Sequence, residues 1–215
     1  KSKQNWYNRP IYMRQSYYEI ETTCKRAARA SGFSWGVAEE IGKSIRSLEM
    51  MGLPGVKTFY NYLEDAKAKS FTKAQKILPK NTQDKEIFCP IETSVAILDD
   101  CKNLFRDNAI IEFSQMSHPL LLVPMINRAS ILVGKKILIS FDQIKIILNF
   151  NESITLNSEG PFPNQTTKVL IQSINDDDKY TNEEYEYLYQ LSLETFVDES
   201  EGKLSGAGAG LTDND

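Results

Sequence analysis

The sequence predicts an α+β fold: an N-terminal helical cluster, an antiparallel sheet of about five strands, then a C-terminal helix and an extended tail. Three observations predict it. Apolar residues recur at helical spacing through the first 66 residues, with Gly and Pro as stops. Between residues 109 and 174 the period shortens to runs rich in Ile, Leu and Phe. A last helical pattern follows an acidic loop. The 215 residues are expected to form one compact unit, with a helical subregion at 1–66, an α+β subregion at 87–196 and a tail at 197–215.

Ser16 and Glu19 stand at capping-box spacing, so the first helix opens there. Ile20, Cys24, Ala27 and Ala28 share one face of it, and Gly32 supplies the stop. A second helix is expected over 34–51, with Trp35, Ala38, Ile41, Ile45 and Leu48 as its stripe and Gly52 and Pro54 at its end. Trp35 is expected in the seam between these two helices, with Gly36 and Gly42 permitting close approach. Val56, Phe59, Tyr60 and Leu63 mark a third, shorter helix, and the Lys-rich stretch 66–86 reads as its tail and a loop. Pro90 suits the first position of another helix, whose stripe is Ile91, Val95, Leu98, Cys101 and Leu104. Residues 109–113, 136–141, 144–150 and 153–156 read as strands, and the short gaps between the last three suit tight hairpins. Gly160, Pro161 and Pro163 make a loop before a fifth strand at 168–174. Residues 117–133 form either a strand and a helix or one helix reset at Pro124. A second capping box, Thr181 with Glu184, starts the last helix, which Tyr185, Leu188, Leu191 and Thr195 carry to Phe196.

Composition narrows the function classes. The hydrophobic fraction of 41% and charged fraction of 25% are those of an ordinary globular chain. The longest apolar stretch, 119–133, is cut by Pro124, Asn127 and Arg128 and falls short of the about 20 residues of a membrane helix. No membrane partner and no signal peptide are expected. Cys24, Cys89 and Cys101 cannot all pair and none forms a Cys-x-x-Cys motif, which fits reduced thiols and a cytoplasmic location. Residues 1–90 hold 16 Lys+Arg against 9 Asp+Glu, whereas 91–215 hold 9 against 20. The basic residues are dispersed through amphipathic segments, so docking of the halves or homo-oligomer pairing is expected, and nucleic-acid binding is not.

The sequence names no reaction. It has no phosphate loop, no dinucleotide fingerprint and no His-rich metal pattern, so neither a cofactor nor a metal is expected. His118, the single histidine, is either a structural ring in a turn or an acid–base residue. The run of Asp176, Asp177 and Asp178 lacks the spacing of a calcium loop and reads as a solvated turn. Arg26 and Arg29 lie one turn apart near the end of the first helix. They either complement its dipole or together clamp a carboxylate or phosphate, with Trp35 nearby. Glu39 and Glu40 are their salt-bridge partners or, with His118, acid–base groups. Residues 206–210 alternate Gly and Ala before Leu211, Asp213, Asn214 and Asp215. This end is either free or docked, with Leu211 in an apolar notch and the three polar residues available to a ligand.

Several of these residues also carry a resemblance. Glu19 to Glu21, Lys25 to Gly32, Trp35 to Gly42, Gly52 to Gly55, His118 to Leu121, and the closing Val197, Ser200, Glu201 and 206–215 resemble a proteobacterial family catalogued as a domain of unknown function. The resemblance runs from about Tyr17 to the end and implies a native C-terminus, while Ala30, Ser31 and the Lys-rich stretch at 67–86 depart from it. It implies no activity. Three readings stay open: a small-molecule-binding or accessory protein for an anionic metabolite, a cofactor-free lyase, isomerase or hydrolase acting on a carboxylate, and an interaction subunit.

Overall fold

The structure, a computed structural model, describes residues 15–74, 76–81, 86–106, 110–150, 153–158, 160–174 and 180–195. The chain divides into two compact units after residue 176.

In the first unit, α1 (Tyr17–Ala30) opens on the expected reciprocal box: Glu19 N–H donates to Ser16 Oγ at 3.2 Å and Ser16 N–H to Glu19 Oε2 at 2.8 Å. Helix α2 (Trp35–Met50) is capped by Ser34 and packs along α1. Gly42 sets their separation, because a Cβ there would meet the Glu21 carbonyl oxygen at 2.7 Å. Gly55 plays the same part at the start of α3 (Gly55–Ala68), where a Cβ would lie 2.8 Å from Leu48 Cβ. Ala38, Ile41, Ile45 and Leu48 are buried as their spacing requires.

After β1 (Lys80–Asn81) come α4 (Pro90–Asp99) and the single turn α5 (Cys101–Leu104). Strands β2 (Ile110–Phe113) and β3 (Met116–Ser117) lead to a 3₁₀ turn at Pro119–Leu122 and to α6 (Val123–Val133). Strands β4 (Lys136–Phe141), β5 (Ile144–Asn149), β6 (Ser153–Asn157), β7 (Gln165–Thr166) and β8 (Val169–Ile174) complete the unit. The six-stranded sheet has the order β1-β2-β8-β4-β5-β6 and is antiparallel except for β1 with β2. Its register places Ile111, Ile171, Ile139 and Ile146 in one buried cross-strand row. Helix α6 packs on β4 and β5 and joins that row to α2 and α4. In the second unit, α7 (Asn182–Leu193) has its Thr181–Glu184 capping box and buries none of its residues.

The α+β class, the helical cluster and the antiparallel meander are as expected. The sheet gains a strand because β1, within the stretch read as loop, pairs with β2, and β8 inserts between β2 and β4. Trp35 is not in the α1–α2 seam: it is 63% exposed at the first turn of α2. Gly36 likewise has no neighbour that a Cβ would meet. The third helix turns Tyr62, not Tyr60, into the core. Asp100 ends α4, and burial then follows Ile91, Ser94 and Ile97. Residues 117–133 resolve as a strand end, a 3₁₀ turn and a helix with Pro124 in its first turn. The tail, with Leu211, Asp213, Asn214 and Asp215, and the acidic loop at 175–179 lie outside the described residues.

Candidate functional site

Helix α3 ends at Ala68, and the extended backbone of its C-cap, Lys69, carries the chain out past the helix terminus. Three residues on, Thr72 pairs with Phe88, and Phe88 pairs with Met116. The Thr72 amide donates to the Ile87 carbonyl and the Cys89 amide to the Thr72 carbonyl, both at 2.8 Å. These bonds hold Phe71 and Cys89 beside α3 and bring His118, just beyond β3, behind it. These residues span positions 69 to 118, so backbone pairing, not sequence proximity, assembles the site.

A cavity of about 640 Å³ opens at this junction, within the size range of ligand pockets. Phe33, Tyr62, Phe71 and Cys89 give it an apolar, largely aromatic floor. Tyr62 is central: its ring lies 5.3 Å from Phe71 and 6.4 Å from Phe33. Its hydroxyl sits 3.3 Å from the Cys89 sulfur. Lys67, Lys69 and Lys73 stand at the rim with Glu64 and Glu92, which leaves one positive charge in excess. Lys67 is bound by Glu64 at 2.6 Å and Lys73 by Glu92 at 2.7 Å. Lys69 has no ion-pair partner among the described residues.

The floor is neutral. Burial pushes the Tyr62 hydroxyl up, and the neighbouring Cys89 adds to the shift. Burial also raises the Cys89 thiol, although it caps α4 and the amides of Glu92 and Ile91 favour the thiolate. His118 is fully buried, its ring edge-on to Tyr62 at 5.8 Å. Neither ring nitrogen has a hydrogen-bond partner among the described residues, and Nε2 lies 3.8 Å from Asp65, beyond hydrogen-bonding reach. Burial holds the imidazole below its ordinary pKa; Asp65 opposes that shift and Lys69 reinforces it.

The residues singled out from sequence are not gathered at the cavity. Arg29 and Trp35 meet, with the guanidinium 5.3 Å from the ring centre, and Arg29 also donates to the Phe33 carbonyl at 2.9 Å. Arg26 is exposed. Glu39 pairs with Lys43 at 3.0 Å and Lys25 at 3.8 Å, and Glu40 pairs with Arg128 and Lys43. Neither glutamate lines the cavity, and His118 stands behind its floor. Sequence reasoning passed over Tyr62, Lys69, Phe71 and Cys89. Only Tyr62 left a local signal, its helical spacing from Phe59. No group of three or more His, Cys, Asp or Glu side chains placed to hold a metal occurs among the described residues.

Residues 15–103 match a family described as a protein of unknown function (DUF3726), a match that contains all of the cavity's lining. No curated protein and no solved structure matches the chain. No helix among the described residues is long and apolar enough to cross a membrane.

Proposed function

We propose that the protein binds a small organic anion in the cavity between α3 and the start of α4. One observation carries this reading: an aromatic floor meets a lysine rim on which Lys69 alone lacks a carboxylate partner among the described residues. An apolar surface supplies burial, and a convergent cation fixes orientation. The cytoplasm is the compartment this reading takes, supported by three buried free thiols. A thermal-shift screen of small carboxylates tests it, because a ligand stabilises the state it binds. Acids that raise the melting temperature of the parent are expected to stabilise Lys69→Met less. If no acid stabilises the parent, the reading fails.

The arginine clamp expected from sequence is a competing anion site, supported by the exposed Arg26. The same screen separates the two, since Arg26→Lys weakens binding only if the clamp is used. The enzyme alternative, with Arg26 or Arg29 binding a carboxylate and His118, Glu39 or Glu40 doing acid–base work, has less support, because Glu39 and Glu40 are held in ion pairs away from the cavity and His118 stands behind its floor.

The interaction-subunit reading, with homo-oligomer formation, has its own support in α7. Tyr185, Tyr187, Leu188 and Leu191 are all at least 43% exposed there. An apolar arc of that breadth is characteristic of a helix that packs against something. Light scattering is expected to give a mass above that of one 24.5 kDa chain, and Leu188→Glu to reduce it. A parent that scatters as a monomer at high concentration removes this reading.

A further inference from the structure

We infer that the ligand of this cavity is an aryl monoanion: a planar ring laid against the open faces of Phe33 and Phe71, which flank the buried Tyr62, with one carboxylate at Lys69. This rests on the binding reading above and narrows it to a chemical class.

The ring follows from the floor. Phe33 and Phe71 flank Tyr62, inclined to it by 35° and 30°. The buried Tyr62 ring backs the two phenylalanines, which keep part of their surface open and form the shallow wall that faces the cavity. The Tyr62 hydroxyl is engaged with Cys89, so the polar end of the tyrosine is turned to the thiol. A flat π-system gains offset or edge contacts on such a wall that a saturated ring of the same size does not.

The single charge follows from the rim. An aromatic wall also suits cations, but three lysines against two glutamates oppose one here. Glu64 and Glu92 hold Lys67 and Lys73, which leaves one amine to receive an acid. A monoanion matches that balance. A phosphate monoester would bring a second negative charge toward the two glutamates.

The test is an NMR titration of the full chain with benzoate, cyclohexanecarboxylate, phenyl phosphate and benzylamine at pH 7.5. The parent is expected to prefer benzoate to cyclohexanecarboxylate by about 2- to 12-fold, the affinity equivalent of an aromatic pair. Phenyl phosphate is expected to bind more weakly than benzoate, and benzylamine not at all. Phe71→Leu should erase the ring preference while keeping carboxylate binding, and Phe71→Tyr should preserve the preference. Equal or tighter binding of the saturated acid or of phenyl phosphate overturns the inference and leaves the anion site standing. Failure of every acid to bind, or binding indifferent to Lys69→Met, brings down the site itself.

Discussion

Helix α2 buries Ala38, Ile41, Ile45 and Leu48, whereas α7 buries none of its residues, although both carry apolar residues at helical spacing behind an oxygen-bearing N-cap. The capping hydrogen bonds form in both: Val37 N–H donates to Ser34 Oγ, and Glu184 N–H to Thr181 Oγ1. A helix start is thus a local property, set by one side chain and the first turn. Burial is not local. In α2 it depends on Gly42 letting α1 approach and on Gly55 letting α3 close from the other side.

The sharpest way to break this comparison is to truncate one apolar residue in each helix. Ile45→Ala removes a side chain that is 1% exposed and is expected to cost about 2–5 kcal/mol in denaturant unfolding. Leu188→Ala removes one that is 63% exposed within the single chain and is expected to stay within about 0.5 kcal/mol when unfolding is measured at a concentration low enough to keep the chain monomeric. A loss of comparable size in the second variant would show that α7 is held as firmly as α2.

A smaller effect comes from pH. His118 is the single histidine, so its imidazole resonances report the titration without ambiguity. Burial depresses its pKa below the ordinary 6.5, with Lys69 adding and Asp65 opposing. As pH falls below 6.5 the unfolded chain takes up a proton that the folded chain still refuses. The contribution of His118 to stability is therefore full above that value and is lost on acidification toward the folded pKa. His118→Asn is expected to flatten this acid slope, and asparagine tolerates the left-handed backbone (φ 40°) found there. An imidazole titrating at or above its ordinary value in the folded protein would contradict the burial argument.

What was legible in the sequence divides along the same line. Ser16, Ser34, Pro90 and Thr181 mark helix starts through hydrogen bonds or ring geometry within one turn, and each start is where it was expected. The meander from β4 to β6 was legible because short polar gaps leave adjacent strands little choice but to pair. Strand β8 between β2 and β4 was not, since nothing near Val169 says which edge it joins. Trp35 shows the limit of periodicity. It fits the stripe, yet it lies in the first turn, where it stands exposed against Arg29. The cavity was least legible of all. Lys69 and Phe71 lie in a stretch read as helix tail and loop, and Cys89 read as a spare thiol until Thr72 brought it to α3.

The pairing of Thr72 with Phe88, and of Phe88 with Met116, works as a clasp on the whole first unit. Closing it joins segments 16 and 28 residues apart, so its entropy is spent before the contacts it creates can repay it. Parting these bridges would separate Phe71 from Cys89 and take the cavity floor apart. A ligand bound there, as proposed, would favour the closed clasp and so raise the stability of the unit that the clasp ties together.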